Sequence, residues 1–197
     1  CGVPDNNCVI TGSALQRSGT PAVTLWQPTA NEDTLLAGGD ELIQCVTADP
    51  TGRFVAAGSR SGRVWLWDRH RRSHLVRRRL PNEVVSSVAT SPAGRIAVAC
   101  SDGRIMRYGV SLATESGAAA HMPNLPARLA FSDGGRVLLT QATDGTLSVI
   151  EADGSVRKVA WPQGISPRAS VIATDTPTVA VPRSNSTIDI LRLTEAT

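Results

Sequence analysis

The sequence predicts an all-β fold of about five four-stranded antiparallel sheets, repeated along the chain and stacked on one another. Three observations predict it. An apolar–any–apolar–bulky tetrad recurs as VTLW from Val23, VWLW from Val64, IMRY from Ile105, LSVI from Leu147 and IDIL from Ile188, at steps of 41, 41, 42 and 41 residues. The third residue of the IMRY copy is Arg107, so that copy fits only in part. A second landmark keeps the same period, as DPTGRFVAAGS from Asp49, SPAGRIAVACS from Ser91 and SDGGRVLLTQA from Ser132. Between landmarks, short runs rich in β-branched residues alternate with Gly, Pro, Asp and Ser turns, the signature of antiparallel strands. A fixed period of roughly 20–50 residues marks a stacked repeat architecture.

The second period shows the division most clearly. Leu42 to Thr47 is an apolar run that ends at the Pro50–Gly52 turn. Arg53 to Ser59, Val64 to Asp68 and His74 to Leu80 follow as further strands. The two-residue turns Ser61–Gly62, Asp102–Gly103 and Asp144–Gly145 are tight hairpins, because glycine tolerates the positive φ they need. Runs such as VVSSVA and RIAVAC are apolar at successive positions, which suits sheets covered on both faces. VPDNNCVITGS, from Val3, reads as an earlier copy, and the surplus before Asp49 falls in LQRSGTPA, a lengthened turn.

These residues resemble the WD-repeat β-propeller family. The best copy is ADPTGRFVAAGSRSGRVWLWD, which ends on the Trp67–Asp68 dipeptide that names the family; SPAGRIAVACSDGRIMRYG and SDGGRVLLTQATDGTLSVIE are weaker copies. The resemblance implies blades at about 1–40, 41–82, 83–125, 126–166 and 167–197. It also implies structural roles for Trp67, Asp68, Asp102, His121 and Asp144. Asp102 and Asp144 fall at the family's turn position, and His121 lies where a loop histidine would pair with Asp144. Ser61, Tyr108 and Ile150 depart from the pattern, and no blade has the full set. With four strands per blade, the first blade should lack its axial strand, of which only Cys1–Gly2 could remain. The last should have strands near Arg168–Thr174, Thr178–Pro182 and Thr187–Leu193, and no fourth. The chain then reads as an open arc, its remaining blades supplied by the rest of a parent chain or by another chain.

Composition narrows the function. Of the 197 residues, 41% are hydrophobic and 19% charged, as in globular domains. A net charge of +3 gives no general attraction to nucleic acid or membrane, and no apolar run approaches the roughly 18 residues that span a bilayer. Arg supplies every basic residue but Lys158, which with abundant Ala suggests a GC-rich bacterial source. Cys1, Cys8, Cys45 and Cys100 form no CxxC pair; Cys45 and Cys100 sit in apolar strands, where thiols act as small hydrophobes in a reducing, cytoplasmic setting. Cys1 suits a lipidated N-terminus or a start within a larger protein, and the repeat favours the second.

Chemistry finds little purchase. His70 and His74 straddle a strand turn, and no HExxH, GxSxG or P-loop string is present. GGDE at Gly38 lacks the α/β surroundings of its namesakes and reads as a polar loop. No catalytic, metal or cofactor residues are assigned. The strongest signal is Arg69, Arg71, Arg72, Arg77, Arg78 and Arg79, within 11 residues at the end of a third strand, its turn and an outermost strand. One reading is edge protection against aggregation. The other is docking of an acidic protein face; nucleic acid ranks lower because interleaved aromatics are missing. Two functions therefore stand: a non-enzymatic interaction scaffold or sensor, and a catalytic or small-molecule propeller working around its central channel. The axial strings IQCVTA, VSSVAT and ARLAFS lack acids and His, which favours the scaffold.

Overall fold

The computed structural model describes residues 2–3, 8–12, 22–27, 32–38, 42–69, 73–80, 84–109, 120–132, 135–159, 172–173, 178–182 and 188–192. For 2–3, 22, 32–35, 37–38, 73–79, 172–173, 178–182, 188–189 and 191–192, it describes the backbone only. The described strands form five antiparallel sheets in chain order. The first holds β1 (Gly2–Val3), β2 (Cys8–Gly12), β3 (Ala22–Gln27) and β4 (Glu32–Gly38). The second holds β5 (Ile43–Ala48), β6 (Phe54–Ser59), β7 (Arg63–Asp68) and β8 (Ser73–Arg79). The third holds β9 (Val85–Thr90), β10 (Ile96–Cys100), β11 (Arg104–Tyr108) and β12 (Ala120–His121). The fourth holds β13 (Pro126–Ser132), β14 (Val137–Ala142), β15 (Leu147–Ile150) and β16 (Val156–Val159). The fifth holds β17 (Ile172–Ala173), β18 (Thr178–Pro182) and β19 (Ile188–Arg192). Each strand pairs with its sequence neighbour, so every sheet is a simple meander.

One expectation about the strands is corrected. The first sheet has an inner strand after all: Gly2 pairs with Val9 and Val3 with Cys8, so two residues suffice to start it. LQRSGTPA lies outside the described residues.

Sheets stack in sequence because their faces alternate. Successive strand residues point to opposite faces, so the first and third tetrad residues face the following sheet and the second and fourth face the preceding one. Val23 and Leu25 pack with Trp65, Trp67, Val55 and Ala57 of the second sheet. Val64 and Leu66 pack with Ile96, Val98 and Tyr108 of the third. Ile105 packs with Leu138 and Ile150 of the fourth. The inner strands meet their neighbours: β9 contacts both β5 and β13.

Glycine sets the spacing of two junctions. A Cβ on Gly12 would lie 2.6 Å from Ile43 Cγ2, and one on Gly58 would lie 2.3 Å from Val85 Cγ1. Both glycines precede the serine of the same repeat string, and Ile43 and Val85 also occupy one repeat position. The hairpin glycines Gly62, Gly103 and Gly145 have φ of 81°, 90° and 88°. The inner strands share a bulge: the register skips Gln44 in β5, Ser86 in β9 and Ala127 in β13, again one repeat position. At the third-to-fourth junction, Ser86 Oγ lies 2.9 Å from the Pro126 carbonyl, and Ser87 Oγ accepts from the Leu129 N–H at 3.1 Å.

Candidate functional site

The basic segment belongs to the second sheet. β7 is a good strand because Val64, Trp65, Leu66 and Trp67 are apolar on both faces and both faces are covered. β8 pairs along its outer edge, with Trp65 opposite Arg77, Val64 opposite Arg78 and Arg63 opposite Arg79. Sheet order places β8 outermost, so the three arginines occupy the rim of this sheet. Arg71, Arg72 and His70 lie outside the described residues.

Arg69 stands apart from them. Its Nη1 donates to the Gly52 carbonyl at 2.8 Å, and its Nη2 lies 3.7 Å from Cys8 Sγ on the first sheet. This guanidinium ties the second sheet to the first. The sequence grouped it with the docking arginines because adjacency along the chain hides a partner 61 residues away.

The WD dipeptide is structural in its surroundings. Trp67 is buried beside Trp65, their ring centroids 6.5 Å apart and their planes 9° from parallel. Asp68 is fully buried and accepts from Arg53 Nη2 at 2.9 Å and Nε at 3.2 Å. That bond raises the Arg53 pKa above its ordinary value. The Arg53 guanidinium also sits 4.7 Å over the Phe54 ring, a cation–π contact.

The turn aspartates serve their own hairpins. Asp102 accepts from the Arg104 backbone N–H at 2.9 Å and pairs with the Arg104 side chain. Asp144 accepts from the Thr146 N–H and hydroxyl, each at 2.9 Å, and these bonds hold its carboxyl below the usual range. The expected His121–Asp144 pair is corrected. Asn124 Nδ2 donates to Asp144 at 2.7 Å, whereas His121 pairs with Arg104 in the third sheet and is exposed. β12 ends at His121, so the next residues of the connection, not the histidine, reach the fourth sheet's turn.

Burial pushes the Cys45 and Cys100 thiols up to about 12, which makes them poor nucleophiles and metal ligands at neutral pH. Among the described residues no three His, Cys, Asp or Glu cluster as a metal site. Among them, too, no helix is long and apolar enough to cross a membrane.

Antiparallel meanders of up to four strands, repeated along the chain and stacked face to face in chain order, are the architecture of a β-propeller. Two segments of the chain, 30–68 and 76–108, match the family described as WD domain, G-beta repeat. No curated protein matches the chain. Among solved structures, a chain from the crystal structure of a mitotic checkpoint complex is similar, with a TM-score of 0.68 at 15% identity. The match covers 97% of this chain and 61% of that one, and at this identity it is a likeness of fold. WD40 repeats generally mediate protein–protein interaction and are generally not enzymes.

Proposed function

We propose that the chain is a non-enzymatic interaction scaffold or sensor, a propeller segment of a larger cytoplasmic bacterial protein. It docks a protein partner with an acidic face on the rim of its second sheet. The supporting observation is the register of β8, which places the consecutive Arg77, Arg78 and Arg79 on an outermost strand. Guanidinium groups pair well with carboxylates, often bidentately, and rim charges steer encounter and set salt dependence. Arg69 is left out of this surface because its guanidinium is engaged within the fold.

The test replaces Arg77, Arg78 and Arg79 by Ser and measures binding of a fluorescent Glu-rich peptide by anisotropy over a salt series. The parent should bind more weakly as salt rises; the variant should bind at least tenfold more weakly with a flatter salt slope. Equal binding by both, with only the variant's solubility reduced, would assign these arginines to edge protection instead.

A further inference from the structure

We propose that a cleft on the fourth sheet binds a carboxylate carried on a short aliphatic stem. The observation behind it is a row of three paired residues that recurs from sheet to sheet. In each row the residue after the shared bulge pairs with one on the second strand, which pairs with the first tetrad residue. The row is Cys45, Gly58 and Val64 in the second sheet and Ser87, Ala99 and Ile105 in the third. In the fourth it is Arg128, Gln141 and Leu147. Each row looks toward the following sheet, since its last member is a first tetrad residue.

In the second and third sheets the first two members are small, and the next inner strand lies against them. Val85 of β9 leaves no room for a Cβ on Gly58. Ser87 Oγ accepts from the Leu129 N–H of β13 at 3.1 Å. The fourth sheet puts an arginine and a glutamine where its neighbours have Cys and Gly or Ser and Ala. There a cleft opens with about 210 Å³ of open space, bordered by this row together with Leu139 and Ala130. Its lining comes from β13, β14 and β15 alone.

The lining sets the chemistry of the ligand. Leu139 and Leu147 are buried and make an apolar floor, with buried Gln141 beside them. Arg128 is exposed and, among the described residues, pairs with no carboxylate. Its guanidinium offers parallel N–H donors that match a carboxylate, and a glutamine amide adds two more donors. A charged head at Arg128 and an aliphatic stem on the leucines satisfy both parts. Pockets for drug-sized ligands hold roughly 300–1,000 Å³, so this cleft suits a group of a few atoms. Arg128 lies on the inner strand of its sheet, whereas Arg77, Arg78 and Arg79 lie on an outermost strand, so the two sites are separate.

The experiment titrates the nitrogen-15-labelled 197-residue chain with sodium butyrate at constant ionic strength, and with 1-butanol as the uncharged control. It is repeated on Arg128→Ser, which installs the residue type of Ser87, and on the Arg77/Arg78/Arg79→Ser variant. Far-UV circular dichroism checks folding, and Arg128→Gln stands in if the serine variant does not fold. Butyrate should shift the Gln141 and Leu147 N–H signals saturably. Arg128→Ser should bind it at least about tenfold more weakly, as loss of a charge-assisted bond implies. The triple variant should bind it like the parent, so this proposal and the docking proposal fail separately. A capped Ala-Glu-Ala peptide that displaces butyrate would identify the carboxylate as a partner protein's glutamate; butyrate binding that the peptide leaves untouched would identify a free small carboxylate. Absence of a saturable shift would overturn the proposal. So would 1-butanol binding as tightly as butyrate, or Arg128→Ser binding butyrate as tightly as the parent.

Discussion

Arg107 on β11 donates from Nη2 to the Ile150 carbonyl on β15 at 2.6 Å, so one side chain joins the third sheet to the fourth. Arg107 is buried and holds a position that is leucine in the first two copies. The facing side of the fourth sheet also carries polar groups: Thr140 and Ser148, paired across strands and buried, share the face of Leu138 and Ile150, and their hydroxyls have no hydrogen-bond partner among the described residues. The first-to-second and second-to-third junctions are lined by apolar clusters, and here the apolar cluster of Ile105, Leu138 and Ile150 is joined by these polar groups. A buried guanidinium is tolerated only where hydrogen bonds replace its water, and the Ile150 carbonyl supplies one.

Arg107→Ala should therefore destabilise by about 2–4 kcal/mol, from the lost bond and the cavity left by the arginine stem. Arg107→Leu should cost less, because the position already accepts leucine in two sister junctions. Urea unfolding measures both. An alanine variant as stable as the parent would mean that the seam closes without the arginine.

Trp67 and Trp26 occupy one repeat position in different surroundings. Trp67 packs with Trp65 against Cys8, Ile10, Val23 and Leu25. Trp67→Ala should cost about 3–5 kcal/mol, whereas Trp26→Ala, on an uncovered face, should cost under about 1 kcal/mol. Equal losses in chemical denaturation at concentrations where the chain is monomeric would remove the assigned facing of the tetrad.

The thiols predict a pH effect. Cys45 and Cys100 are lifted from 9.0 to about 12, by burial above all. A thiol whose folded pKa exceeds its unfolded pKa contributes stability that is fully present below pH 9 and is lost as pH rises through 9 towards 12. Iodoacetamide at pH 8 should leave both unmodified in the folded chain and modify both in urea. Stability should decline between pH 9 and 11, and less steeply in a Cys45→Ala, Cys100→Ala variant. Fast alkylation of either thiol in the folded chain would show that the strands carrying them open readily.

Much of this architecture was legible in the sequence, because strand pattern and turn chemistry are local. Gly62, Gly103 and Gly145 sit at the positive-φ positions that their dipeptides require, and the repeat strings name β6, β10 and β14 directly. What escaped depends on the distance between sheets, which no single strand encodes. Asn124, not His121, serves Asp144 because the connection runs on past β12 before it reaches the fourth sheet. Arg69 binds Gly52 and approaches Cys8, partners set by stacking. Arg107 looked like a flaw in its tetrad until the carbonyl of Ile150 stood opposite it. The shared bulge at Gln44, Ser86 and Ala127 had a sequence trace only in its position, since the three residue types have nothing in common.

Gly58 gives the sharpest test of sheet spacing. Its φ is not the constraint; the neighbouring sheet is. A Cβ there would come 2.3 Å from Val85 Cγ1, 2.8 Å from Val85 Cβ and 2.9 Å from Cys45 Sγ. Val85 is fully buried at the start of β9, paired with Cys100, and has no room to withdraw. Gly58→Ala should therefore overpack the junction and cost about 1–3 kcal/mol, although alanine is otherwise the better residue in a strand with ordinary φ. Val85→Ala alone should also destabilise, through the cavity it leaves. Combined, the two changes should be less costly than their sum, because the added methyl enters the space the valine vacates, and residues in contact couple in this way by about 0.5–3 kcal/mol. A double-mutant cycle in urea reads the coupling. Strict additivity would mean that the second and third sheets relax apart around the alanine, and that the glycine is not what holds them close.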